Sequence, residues 1–304
     1  MELNKNKIKL LASIGLIAAA VMWGFGFIVV KDSLDFIPPV YMLAFRFTLA
    51  SAGLGIVFHK RIFKINKKNV KSGLILGILL YISYLLQTIG CQYTTAGKNA
   101  FITTIYVVIV PFLYWAMSKK KPDIYCVVSA FMAIAGIGLL SLTSDLTVNI
   151  GDVLTFLCGI GFALHLIYIS KYSKGQDPII LTLLQIFTAA VLSWITAPFI
   201  DGGFPSHIVD TDPVIAILYL GIGATMITFL LQNIGQKYVE PSTAAVLLSM
   251  ESVFGVIFSV TLLGEVLTTK MLVGCALIFT AVIMAETKFD FAKFAVKKRS
   301  EKNA

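Results

Sequence analysis

Apolar stretches of about 20 residues recur along the chain, separated by short polar or charged connections, and that length is what an α-helix needs to cross a bilayer core. They fall at about residues 10–30, 38–58, 71–90, 97–117, 123–141, 151–170, 178–199, 213–233, 241–262 and 269–286. The pattern predicts ten transmembrane helices. Pro39, Pro122, Pro178, Pro213 and Pro241 stand where helices should begin, as suits a residue tolerated only in the first helical turn. The first stretch follows Lys5, Lys7 and Lys9 and has about the length of a span, without a small-x-small cleavage site. It reads as an uncleaved anchor rather than a secretory signal.

The same pattern occurs twice. Leu85, Leu86, Gln87, Ile89, Gly90, Tyr93 and Ala100 return as Leu230, Leu231, Gln232, Ile234, Gly235, Tyr238 and Ala245, an offset of 145. Earlier in each copy, Trp23, Pro39 and Arg46 align with Phe162, Pro178 and Gln185 at an offset of 139, the change falling in the longer connection IDGGFPSHIVDTD. Each copy carries five spans, and an odd number makes the second enter the membrane from the opposite side. The expected fold is an all-α polytopic membrane protein of two inverted five-helix repeats, at 10–141 and 151–286, between tails at 1–9 and 287–304.

Composition agrees with a membrane setting. Of 304 residues 58% are hydrophobic and only 13% charged, against about 25% charged in a soluble domain. The net charge of +9 would suit a nucleic-acid partner only if it were gathered on one face, whereas it falls in short runs between apolar stretches, so no nucleic acid is expected. Those runs test the topology. With ten spans, 21 Lys and Arg residues fall on the side of the two termini and three (Lys31, Lys98, Lys270) on the other, with Arg46 inside a span. Both termini are therefore expected to be cytoplasmic in a cell or inner membrane. The other side carries Asp32, Asp35, Asp145, Asp201, Asp210 and Asp212.

Few ionisable residues lie inside spans: Arg46, His165 and Glu251, with Lys98 near an end. A charge at mid-membrane costs about 2.5–3.5 kcal/mol on insertion scales and should face a bundle interior or aqueous cavity. Glu251, with Ala244, Leu247, Leu248 and Gly255 at helical spacing, is a candidate proton carrier or cation anchor, set against the alternative of bundle hydrogen bonding. Asn99, Thr103 and Tyr106 form one stripe of the fourth span, with Phe101 and Val108 on a face suited to lipid. Tyr84 and Gln87 on the third span, and Thr225, Thr228 and Gln232 on the eighth, add donors and acceptors for a polar small molecule. Trp23 beside Gly26, and Phe162 beside His165, occupy corresponding places in the two copies. Arg46 is expected to be structural, tied to helix-end carbonyls or a carboxylate, and Pro111 to kink the fourth span as a gating element.

Enzyme patterns do not occur: no HExxH, GxSxG, Walker A or GxGxxG in strand-to-helix context, and His59, His165 and His207 are scattered,. Cys91, Cys126, Cys158 and Cys275 are dispersed without a CxxC pair, which predicts neither a disulfide framework nor a metal site. No cofactor is expected. The implied partners are a small-molecule substrate, the lipid bilayer and protons as a candidate coupling ion, and the sequence sets no oligomeric state.

The segments AAVMWGFGFIVVK, AFRFTLA, QYTTAGKNAFITTIYVVIVP and LLSMESVFGVIFSVTLLGEVLTTKMLVGCALI resemble the EamA-type permeases of the drug/metabolite transporter superfamily. The likeness covers nearly all of residues 10–286. It implies two inverted five-helix repeats about a central cavity and export of small metabolites, often amino acids, coupled to an ion gradient. The family pattern falls on Trp23, Gly24, Arg46, Gly97, Pro111, Glu251, Gly264 and Glu265. Many relatives carry proline after the ninth-span glutamate, where this chain has Ser252. The expected function is a secondary transporter, with an uncoupled facilitator or channel, or a membrane-embedded accessory or lipid-handling protein docked through the basic C-terminal tail, as alternatives.

Overall fold

A computed structural model describes residues 5–141, 149–205, 210–262 and 266–288, leaving out the side chains of residues 98, 140, 141 and 259. Asp145, His207, Gly264, Glu265, the tail beyond residue 288 and the Lys98 side chain thus lie outside the described residues. Among the described residues the chain is all helical, with nine helices long and apolar enough to span a membrane and a shorter tenth, Ile124–Leu139. The spans are Lys5–Ser33, Pro39–Val57, Lys67–Tyr93, Asn99–Ser118, the helix Ile124–Ser141, Ile150–Ser173, Pro178–Ile200, Thr211–Tyr238, Pro241–Leu262 and Thr269–Thr287. An even number of crossings leaves both chain ends at one face. Five crossings per half make the second half an inverted copy of the first.

Local chemistry sets the helix starts. Pro39, Pro178 and Pro241 occupy the first helical turn of the second, seventh and ninth spans. Asn66 and Asn149 form reciprocal capping boxes with Asn69 and Asp152, which satisfy amides left free at the start of the third and sixth spans,. Two polar contacts join the halves at opposite faces. Asp201, after the seventh span, accepts from the Val40 and Tyr41 amides at 2.8 and 2.9 Å. Arg61, after the second span, pairs with Asp177, the N-cap residue of the seventh. The second and seventh spans are thus joined at each face by unlike contacts, since at the 139-residue offset Asp201 corresponds to Ile62 and Arg61 to Ile200.

The third span packs along the sixth and seventh, the second along the seventh, the fifth along the tenth, and the first along the eighth and ninth. Small residues let these backbones approach. A Cβ on Gly24 would meet the Glu251 carbonyl oxygen at 2.7 Å and the Gly255 nitrogen at 2.8 Å, so only glycine fits where the first span crosses the ninth. The largest buried cluster joins the first, fourth, fifth, sixth, ninth and tenth spans, with Phe101 and Val108 half-buried against it. These two side chains pack against the edge of this cluster while keeping part of their surface exposed, and further along the fourth span Phe112, Trp115 and Met117 are exposed.

Three spans depart from regular α-helix. The fourth is two helices, Ala96–Thr103 and Tyr106–Ser118, joined through a tight turn in which the Val107 amide bonds the Thr104 carbonyl at 2.9 Å. Pro111 sits inside the second helix; the interruption lies upstream, where the Thr104 hydroxyl donates to the Ala100 carbonyl at 2.7 Å and the chain tightens to three-residue bonds. The ninth span breaks at Ser249, between Pro241–Leu248 and Met250–Leu262, although position 252 is serine. The eighth opens into a π-helix over Tyr219–Ile227.

Candidate functional site

One cavity opens at the centre of the bundle, against both interrupted spans and the π-helix. Its wall is Trp23, Gly26, Phe27 and Val30 of the first span, Arg46 of the second, Tyr84 and Gln87 of the third, and Asn99, Thr103 and Tyr106 of the fourth. Phe162 and Leu166 of the sixth, Leu220, Ala224, Phe229 and Gln232 of the eighth, and Leu248 and Glu251 of the ninth complete it. Its volume of about 60 Å³ is several times the roughly 10–15 Å³ that seats one water.

Glu251 is at the turn that follows the ninth-span break. Its Oε1 accepts from the Tyr106 hydroxyl at 3.1 Å and lies 3.3 Å from the Thr104 hydroxyl. Tyr106 and Glu251 are equivalent positions of the two copies, 145 residues apart, and so are Thr104 and Ser249. Their direct contact means that the pseudo-two-fold axis runs through this hydrogen bond. The carboxylate is 5% exposed and forms no ion pair among the described residues.

Arg46 faces the same cavity and is likewise without a carboxylate partner among the described residues. The π-helix holds it. Widening the coil turns the Ala224 carbonyl outward to accept from Trp23 Nε1 at 2.9 Å and an Arg46 terminal nitrogen at 3.3 Å,. Thr225 accepts from Arg46 Nε at 2.9 Å while donating to the Leu220 carbonyl at 2.6 Å. The guanidinium carbon also lies 4.8 Å from the Tyr84 ring centre, a cation–π distance. In place of the expected tie to helix-end carbonyls or a carboxylate, Arg46 is tied to a carbonyl inside the π-helix and has a place in the cavity wall, which its position in the sequence did not suggest. The π-helix itself has one weak sequence signal, the small residues Gly221, Gly223, Ala224 and Thr225.

The other candidates divide. Asn99 donates to Thr155 Oγ1 at 2.8 Å and to the Gln87 carbonyl at 3.1 Å, and Gln87 donates to Thr103 at 3.2 Å. This ties the third, fourth and sixth spans into one polar wall. Tyr84 packs edge-on against Phe47 and Phe162, and Trp23 against Phe229. Gln232 reaches the cavity; Thr225 and Thr228 are wholly buried and outside it. His165 is also outside the wall. It points to the seventh span and pairs with Gln185 at 2.8 Å, since Phe229 fills the space between its ring and the cavity.

The family profile described as "EamA-like transporter family" matches residues 10–142 and again 149–287. The chain belongs to the EamA-like transporter family. An "uncharacterized transporter" of Archaeoglobus fulgidus is 35% identical over 280 residues, covering 92% of this chain and 87% of that protein. The "uncharacterized transporter YvbV" of Bacillus subtilis is 26% identical, over 93% and 94% of the two chains. A solved crystal structure with 17% identity superposes with a TM-score of 0.75 over 90% of this chain and 96% of the other, a likeness of fold. This EamA-like transporter is accordingly a multi-pass membrane protein that works in transport, not catalysis. Its cavity, rather than any cluster of catalytic side chains, is the candidate site.

Proposed function

We propose that this EamA-like transporter exports small amphipathic metabolites bearing an ammonium and a carboxylate, amino acids among them, by alternating access. One observation carries the reading. Glu251 and Arg46 face a single buried cavity, neither with a countercharge of its own among the described residues, and aromatic rings share its wall. A buried unpaired charge is costly, so a ligand bringing the opposite charge to each would be favoured. Trp23, Tyr84, Phe162 and Phe229 would cover its apolar part.

In this mechanism the two halves rock about the Tyr106–Glu251 contact. Glu251 exchanges a proton for the substrate amine, while Arg46, fixed by Ala224 and Thr225, receives the carboxylate. The excess of 21 Lys and Arg over three supports cytoplasmic termini in the cell membrane,. Repeats 10–141 and 151–286 are the moving units.

The test is transport by purified protein in liposomes, after thermal-shift screening of amino acids, amines, nucleosides and sugar derivatives has found a ligand. An imposed pH gradient should drive uphill accumulation, and Glu251→Gln should lower the rate and flatten its pH dependence. Unchanged rate and pH profile in Glu251→Gln would refute the role of Glu251. Equilibration without accumulation would make the protein an uncoupled facilitator.

A further inference from the structure

On the sixth and eighth spans four buried acceptor atoms have no hydrogen-bond partner, Gln232 Oε1 in the cavity wall and Asn233 Oδ1, Gln236 Oε1 and His165 Nδ1 outside it; Asn99 Oδ1, elsewhere in the wall, is a fifth. The three amides share a face of the eighth span, within about 100° of arc and about one turn of length. Their orientation is set by donors. Asn233 Nδ2 donates to the Phe229 carbonyl at 2.8 Å and Gln236 Nε2 to the Leu166 carbonyl of the sixth span at 2.9 Å, which leaves each oxygen as the unpaired end. Across from them His165 Nε2 is 2.8 Å from Gln185 Oε1. An amide oxygen only accepts, so Nε2 carries the proton and the neutral ring leaves Nδ1 as an acceptor. The His165 ring packs against Phe229 at 6.0 Å, one helical turn before Asn233. All four residues are at most 3% exposed.

Acceptors left unpaired in a buried site are unfavourable, and here four stand beside a single unpaired donor, Gln185 Nε2,. Such a set suits a ligand that brings positive charge, as carbonyl oxygens do when they replace an ion's hydration shell. The first half offers an internal comparison. There Lys31 Nζ donates to the Cys91 and Thr94 carbonyls at 2.8 and 3.0 Å, and Cys91 is the counterpart of Gln236. The counterpart of Lys31 is Ser170. The first half thus seats a cation against main-chain carbonyls at this end of the third span, and the second half has no lysine at the equivalent position.

We propose that Gln232, Asn233, Gln236 and His165 form a site for a small cation, sodium or a hydrated proton, between the sixth and eighth spans and open to the cavity at Gln232. The groups around it are few. The seventh span contributes neutral Gln185, and the first packs on this helix through Ala12, Gly15 and Leu16. Glu251 and Arg46 face Gln232 only from other parts of the cavity wall. Lys237 is directed to the Tyr238 ring instead. The site gives a cation a second seat, apart from Glu251, where proton and substrate amine exchange.

The experiment uses the full chain in lipid nanodiscs with no organic substrate, so its outcome is separate from the amino-acid reading. Thermal unfolding is followed as sodium replaces choline at a constant ionic strength of about 150 mM, and then in choline alone as pH falls through the histidine range. The wild type should gain several degrees in one arm, sodium or acid, and the arm identifies the ion. Asn233→Leu/Gln236→Leu should lose that gain. His165→Phe should abolish an acid response and only weaken a sodium response. Should the double variant fail to fold, Gln236→Met and direct binding of radioactive sodium or proton-release titration replace it, with at least a tenfold weaker affinity expected. A wild type indifferent to both ions, or variants with an undiminished response, would overturn the proposal.

Discussion

The fourth and ninth spans are one element used twice, and each is interrupted at the same place, Thr104–Ile105 in one and Ser249 in the other. Both breaks face the cavity. Their chemistry differs: the residue two positions after Thr104 is Tyr106, and the residue two after Ser249 is Glu251, with the tyrosine donating to the carboxylate. The duplication has kept the backbone device and diversified the side chain that it presents. A symmetric pair of acids at the axis would repel, and a symmetric pair of tyrosines would carry no charge.

The largest expected effect tests how far the halves tolerate exchange. Gly24→Ala places a methyl against the backbone of the ninth-span break and should cost about 1–3 kcal/mol of stability, read as a lower unfolding temperature. Its counterpart in the second half is already Ala163, fully buried, so Ala163→Gly should cost less. Equal losses would mean that the first–ninth crossing is no tighter than its partner.

Next is the contrast between the eighth span and the third. Leu79, the counterpart of Ala224, has its carbonyl bonded by Ser83 of the same helix at 2.7 Å, whereas Ala224 accepts from two other spans. Thr225→Val should cost about 1 kcal/mol and weaken binding of carboxylate-bearing ligands more than of the matching amines, with Thr225→Ser restoring both. A uniform loss for both ligand types would show that Thr225 does not orient Arg46 toward the ligand.

The Tyr106–Glu251 contact can be measured by a double-mutant cycle of Tyr106→Phe and Glu251→Gln. A coupling of about 0.6–1.7 kcal/mol is expected, and additivity would remove this bond from the axis.

Smallest is the Asp123–Lys288 pair, which ties the start of the fifth span to the end of the tenth at one face. The bond to Lys288 holds the Asp123 carboxyl below its ordinary range, and the bond to Asp123 raises the Lys288 ammonium above its own. The carboxylate contributes above the usual aspartate pKa and loses its contribution as pH falls through its depressed value. The lysine contributes below its usual pKa and loses its contribution as pH rises through its raised value. Both groups are largely exposed, so Asp123→Asn should cost at most about 0.5 kcal/mol at neutral pH. The difference from wild type should vanish in acid and shrink in high salt.

The span count, the duplication and the inversion were legible because apolar length and repeated spacing survive in one dimension. The stripe was legible in part: Asn99 and Thr103 share one helix at a spacing of four, whereas Tyr106 begins the next helix beyond the break and still lines the same cavity. What the sequence hid depends on helix geometry. Pro111 is the visible breaker, yet the fourth span bends at Thr104, where a hydroxyl competes for the backbone. Ser252 removes the expected proline, yet the ninth span breaks at Ser249. Arg46 enters the cavity because a π-helix in another span presents a carbonyl to it, and His165 leaves it because Phe229 takes the space. Periodicity assumes a constant number of residues per turn, so it cannot foresee either.

The π-helix also sets the phase of everything that follows it. Each turn bonded five residues back instead of four uses an extra residue, about 100° of ordinary helical rotation. Gln232, Asn233 and Gln236 owe their inward bearing to the wide coil at Tyr219–Ile227 as much as to their own positions. Deleting one residue from that coil would leave a segment still long enough to cross the membrane while turning a different stripe toward the sixth span. Length in this protein governs whether a helix crosses, and winding governs which chemistry it delivers.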